Sequence, residues 1–147
     1  MAYAVSLHLL AVLFWVGGMA FAYFCLRPSV GHLEPPGRVM LWHGVFGRFL
    51  PWVAFAILVI LATGFYMWQG LGIDGPHVHA MVGLGVIMML LYGHLYFAPY
   101  GRFRRAATAG DWPTAARQLG QIRWIVLVNL CLGLLVVVIA AGGRYWG

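Results

Sequence analysis

The sequence predicts an all-α fold: an integral-membrane four-helix bundle with both termini outside the cytoplasm. Three observations predict it. Of the 147 residues, 63% are hydrophobic and only 8% are charged, a composition foreign to soluble domains. Four apolar stretches, at about residues 2–26, 49–68, 77–99 and 124–142, are each long enough to cross roughly 30 Å of hydrocarbon as a helix. Finally, all nine basic residues are arginines, and eight of them fall in two connecting segments. These are Arg27, Arg38 and Arg48, then Arg102, Arg104, Arg105, Arg117 and Arg123; Arg144 lies elsewhere. Clustered positive charge marks cytoplasmic connections, and four spans then return both ends to the other side. The net charge of +6 therefore belongs to topology, which makes the bilayer the expected partner and excludes nucleic acid. With no Lys in the chain, no lysine chemistry is available.

Taken in order, the single transmembrane domain (residues 1–147) opens on a span with no formal charge on any side chain from Met1 to Leu26. Ala20-Phe21-Ala22 resembles a signal-peptidase site, but no basic segment precedes the apolar run, so the segment is expected to stay as a span. Pro28 disfavours helix at Arg27 and ends it, and Pro35-Pro36-Gly37 breaks the chain again. Residues 38–47 read as a surface helix feeding span two, where Pro51 is tolerated in the first turn. Tyr66 and Trp68 suit the far interface. The connection from Gln69 to Pro76 carries only Asp74 and is expected outside. Span three holds His77, His79 and His94. The second basic connection, residues 100–123, contains Asp111, which can cap a short amphipathic helix with Pro113 early in it. Asn129 is the one strongly polar side chain of span four and is expected to bond across helices. Cys25 and Cys131 form no CxxC motif and are expected as reduced core residues.

His8 carries the functional reading. An imidazole about 9 Å into an apolar helix costs free energy unless something satisfies it, and intramembrane ionisable groups mark functional sites. His8, Ala11, Trp15, Gly18 and Ala22 share a helix face, where small residues admit a neighbouring helix or a flat cofactor. Gly18 with Ala22 could equally support a homo-oligomer. Depth then sorts the histidines into layers. His8, His77 and His79 belong to an outer layer, whereas His94 lies 15 residues beyond His79, about 22 Å along the axis, in an inner layer with His43 and Asn129. His79 has Gly83 one turn below it, leaving a slot for a macrocycle, while His77 shares its face with Met81. The pairing expected is His8 with His79 across a haem b, or His8 with Met81 at a higher potential. His77, His94 and His43 are further metal candidates.

The residues also resemble a family. Leu7-His8 through Trp15-Val16-Gly17-Gly18, then Leu26-Arg27-Pro28, Arg48-Phe49 and Ala62-Thr63-Gly64, are similar to CopD-type membrane proteins. The four-span layout, with His77-Val78-His79-Ala80-Met81 and Gly93-His94, also resembles the bacterial membrane protoporphyrinogen oxidase HemJ. The first resemblance implies copper uptake or tolerance. The second implies a haem b held by His8, in a multi-pass protein of the bacterial inner membrane. HemJ-like proteins carry a functional Lys near the start of span three, and Met81 occupies that position here. The resemblance therefore implies haem binding without implying porphyrinogen oxidation.

Two functions are thus expected: a haem b protein with a redox role, passing electrons to or from a quinone or another partner, or a copper-handling protein using His8, His77, His79 and Met81. A third reading leaves the histidines knitting helices together. The arginine distribution yields a first test. A reporter fused after Gly147, or inserted between Gly70 and Gly75, is expected outside the cytoplasm. A cytoplasmic signal from either position reverses the orientation.

Overall fold

The computed structural model describes residues 1–146; the side chain of Arg144, and Gly147 with its fusion point, lie outside the described residues. Among the described residues every regular element is helical. Helix α1 spans Ala2–Ser29 and α2 spans Pro35–Gly70; α3 covers Pro76–Phe97, α4 Pro99–Ala109 and α5 Trp112–Gly142. Helices α1, α2 and α5, with the α3–α4 stretch Pro76–Ala109, are long and apolar enough to cross a membrane. The chain is a multi-pass membrane protein, a four-helix membrane bundle. Leu13, Phe55, Leu58, Leu90 and Leu134 point outward from it, as hydrocarbon requires of a surface with no water to meet.

Local chemistry sets the breaks. Ala98 leaves helical geometry at φ −111°, ψ −88° because Pro99 follows it, and this separates α3 from α4. Gly110 ends α4 in the left-handed conformation at φ 74°, where a side chain would be strained. Asp111 then caps α5 by accepting from the Thr114 amide at 3.3 Å, as its position before Pro113 predicts.

Several boundaries differ from expectation. Residues 38–47 are no separate surface helix; they are continuous with span two. Pro51 therefore sits in a helix interior rather than a first turn, and the Gly47 carbonyl four residues back loses its helical donor. Both residues are exposed. The basic connection contains α4, whose Tyr100, Phe103, Ala106 and Ala107 are buried, while the capped helix at Asp111 runs on into span four. Helix propagation continues past the membrane surface because each further residue adds a bond, and α2 carries through Pro51 at the loss of one. Cys25 and Cys131 are free and exposed, not in the core. Facing lipid, an apolar thiol incurs no penalty there.

Helix α1 packs along α2, and α3 along α5, with α5 also meeting α1 and α2. The inner end, defined by the arginine-bearing segments, is an aromatic core. Trp42 stacks on Phe46 at 5.3 Å, and Phe46 meets Tyr100 and Phe103 edge-on at 6.1 and 5.8 Å. Midway, Trp15, Val16, Met19, Val53, Met88 and Leu130 form a second core. Asn129 Nδ2 donates to the Met88 carbonyl at 3.2 Å, tying α5 to α3, and the Tyr92 hydroxyl donates to the Leu50 carbonyl at 2.7 Å, tying α3 to α2.

Gly133 is where α5 comes closest to its neighbours: a Cβ there would lie 2.8 Å from Val16 and 3.2 Å from Met88. Gly133→Leu is expected to destabilise the solubilised protein by about 1–3 kcal/mol through overpacking, read as a lowered Tm. Gly17→Ala, at an open position, should leave Tm unchanged or slightly raised.

Candidate functional site

His8 and its receptor lie at matched depth. His8 stands six residues into α1, and Thr63 and Gly64 stand seven and six residues before the end of α2 at Gly70. Because α1 packs along α2, this puts the imidazole against the Thr63-Gly64 pair. His8 Nδ1 is 2.8 Å from Thr63 Oγ1, and a Cβ on Gly64 would come within 3.3 Å of His8 Cε1. Glycine supplies the notch, and threonine the polar partner.

The hydrogen-bond pattern assigns the tautomer. Thr63 Oγ1 carries one hydrogen and lies 2.6 Å from the Val59 carbonyl, with the Ile60 carbonyl at 3.3 Å. A carbonyl only accepts, so that hydrogen is committed to Val59 and the Thr63 oxygen faces His8 as an acceptor. Nδ1 must therefore donate, which leaves a bare lone pair on Nε2. This is the form in which an imidazole binds a metal, and an Nδ1–H bond of this kind is the usual device for orienting such a ligand.

The other outer histidines do not join His8. His79 is exposed: Nδ1 bonds the Gly75 carbonyl at 2.9 Å, Nε2 is 3.5 Å from Asp74 Oδ1, and the ring lies edge-on to Trp68 at 6.3 Å. His77 packs against the start of the last turn, where a Cβ on Gly143 would lie 2.6 Å from His77 Cβ. Met81 is half-buried, and Gly83 is exposed with no atom near its missing side chain. The slot expected below His79 thus faces outward. On the His8 side, Gly18 is filled by the Phe49 ring, and Trp15 is buried edge-on against Tyr92 at 6.4 Å. His79 is thus turned to the loop, while His8 is seated on Thr63 and Gly64 of α2, so the structure does not bring the two histidines together.

The inner layer is likewise not a cluster. His94 is exposed, Asn129 is buried at the level of Met88, and His43 lies beside Phe103 at 6.5 Å. Among the described residues, two buried atoms, His43 Nε2 and Asn129 Oδ1, have no partner. Among the described residues, no group of three or more His, Cys, Asp or Glu side chains could hold a metal ion. Among α1, α2, α3 and α5 runs an almost wholly apolar crevice of about 640 Å³ lined by Phe14, Trp15, Gly18, Phe49 and Tyr92 among others. Its lining begins at Leu13, about 7.5 Å inward of His8 along α1.

Sequence reasoning missed Thr63 and Gly64 as a receptor. The signal was present: a hydroxyl beside a glycine, in an apolar span, at the depth of His8.

A family model for copper resistance protein D, CopD, matches residues 43–142. The matched segment runs from α2 to the end of α5 and does not reach α1. No curated protein and no solved structure matches the chain.

Thr63→Val removes the acceptor while keeping the side chain's shape. In ¹⁵N spectra of histidine-labelled protein, the His8 ring is expected as the Nδ1–H tautomer in the unmodified chain and as a mixture in Thr63→Val, with Thr63→Ser restoring the first state. An unchanged tautomer in Thr63→Val would remove Thr63 from this role.

Proposed function

The chain belongs to the copper resistance protein D (CopD) family, and on that premise we propose that it handles copper as cargo inside the membrane, with His8 Nε2 as an intramembrane ligand. One observation carries this reading: the His8–Thr63–Val59 relay holds Nδ1 as a donor and leaves Nε2 as a bare lone pair. Imidazole suits copper, and thioether sulfur suits Cu(I). Met67 is half-buried three residues beyond Gly64, on the same face of α2, in the segment that packs on α1. It is the second ligand we assign. Asp74 and His79, paired at the loop, stand at the mouth where an aqueous cation arrives. This function belongs to a bacterial inner-membrane protein with the loop containing Asp74 facing outward, as the arginine placement supports.

A second reading is supported by the apolar crevice: a haem b with His8 as its protein ligand and a role in electron transfer to a quinone or a protein partner. The crevice falls within the size range of cofactor pockets. When bound, haem would supply one-electron chemistry. The chain's own contribution would be to hold the macrocycle on Nε2 and exclude water with Phe14, Trp15 and Phe49.

The two readings separate on purified protein. Copper retention after anaerobic exposure to Cu(I) is expected to fall by more than about 100-fold in His8→Ala and less in Thr63→Val, where the loss typical of an outer-sphere partner is about 10- to 100-fold. A Soret band that disappears in His8→Ala would select the haem reading. Unchanged copper retention in His8→Ala, with no Soret band in the parent, would sink both.

A further inference from the structure

We infer that the inner end of the bundle is a specific site for one anionic phospholipid, with its phosphate on Arg27, Arg38 and Arg123 and an acyl chain in the crevice above. Two cavities carry the inference. The lower one, of about 530 Å³, is lined by those three arginines together with Tyr23, Trp42 and Ile122. The upper one is the apolar crevice of about 640 Å³. Ala22, Phe46 and Val126 line both, so the two adjoin and form a single groove whose charged mouth leads into an apolar channel.

The charge at the mouth is uncompensated. The chain has three acidic residues, Glu34, Asp74 and Asp111, and none lines either cavity. Among the described residues, no carboxylate is within ion-pair distance of Arg27, Arg38 or Arg123; Arg27 instead lies over the Tyr23 ring at 4.9 Å. Three arginines lining one cavity concentrate positive charge there, and a phosphate offers guanidinium the bidentate acceptor geometry it prefers.

The upper cavity decides between a free anion and an amphiphile. An inorganic anion has no use for a crevice walled by Phe14, Leu26, Phe49, Leu50 and Leu95. Along α1 the groove's lining runs from residue 28 to residue 13, about 22 Å at 1.5 Å per residue. One leaflet contributes roughly 15 Å of hydrocarbon, to which the headgroup depth is added. A single acyl chain with its phosphate therefore matches the groove in length as well as in polarity. Phosphatidylcholine would bring a trimethylammonium among the arginines, so net negative charge is selected. Basic pockets between transmembrane helices at the positive-inside face meet such lipids in the leaflet richest in them.

The test uses the full chain in mixed micelles of phosphatidylglycerol and phosphatidylcholine, with bound lipid counted by native mass spectrometry. The unmodified protein is expected to retain one phosphatidylglycerol in preference to phosphatidylcholine by at least about tenfold, given the contribution of each arginine near a lipid surface. The triple variant Arg27→Gln, Arg38→Gln, Arg123→Gln should lose that preference. Arg104→Gln, Arg105→Gln, Arg117→Gln, which removes the same charge from residues outside the groove, should keep it. Ala22→Phe leaves every charge in place, and so leaves topology signals intact, but fills the junction of the cavities; it should cost most of the bound lipid. Millimolar inorganic phosphate should not displace the lipid. Equal retention of the two lipids, equal loss in both triple variants, full retention in Ala22→Phe, or displacement by free phosphate would each overturn the site.

Discussion

Hydrocarbon offers no hydrogen-bond partner, so a polar group carried into a membrane must be met by another part of the same bundle. In this chain that constraint places the helices. His8 needs an acceptor, and Thr63 provides one only because its own hydrogen is already given to Val59. Asn129 is met by the Met88 carbonyl and Tyr92 by that of Leu50. Each bond joins two different spans, and together they link α1 to α2, α2 to α3 and α3 to α5. Packing of small residues, Gly64 beneath His8 and Gly133 beneath Val16 and Met88, lets the backbones approach closely enough for those bonds to form.

The same constraint makes the unmet groups conspicuous. Asn129 presents only Nδ2 to a carbonyl, because a carbonyl cannot donate, and its Oδ1 is left buried and alone. His43 Nε2 is also buried without a partner among the described residues, beside the aromatic core of Phe46, Tyr100 and Phe103. These lie toward the middle and inner end, whereas the ligand-competent nitrogen of His8 lies toward the outer end. The molecule is therefore polarised along its length. Its outer end carries histidine, Asp74 and the notch at Gly64; its inner end carries arginine and aromatic rings.

Much of this polarity was legible in the chain. Arginines grouped at residues 27–48 and 102–123 announce one end of the bundle, and an imidazole in an uncharged span announces a buried polar contact. The partner of that imidazole was harder to see. A matched-depth argument admits every polar residue at the right height, and His79 satisfied it as well as Thr63 did. What separates them is lateral: α1 lies along α2, not along α3. Helical periodicity fixes angles within one helix and says nothing about which neighbour stands opposite. The amphipathic α4 was hidden for a related reason. Its arginines dominate the local composition, while the burial of Phe103 depends on aromatic residues more than fifty positions earlier, Trp42 and Phe46.

By itself, then, the sequence determined an all-helical, multi-pass membrane protein with a basic end and with His8 in an uncharged first span. Those properties are local: apolar length, charge placement and helix breakers act through residues near one another in the chain. Only the tertiary structure decided that His8 rests on Thr63 and Gly64, that Gly18 is filled by Phe49, that His79 turns to Asp74 at the loop, and that three arginines line a cavity adjoining an apolar crevice. Each of these depends on which helix faces which. In lipid that choice rests on close packing and a few interhelical hydrogen bonds, because every apolar face is equally at home against hydrocarbon.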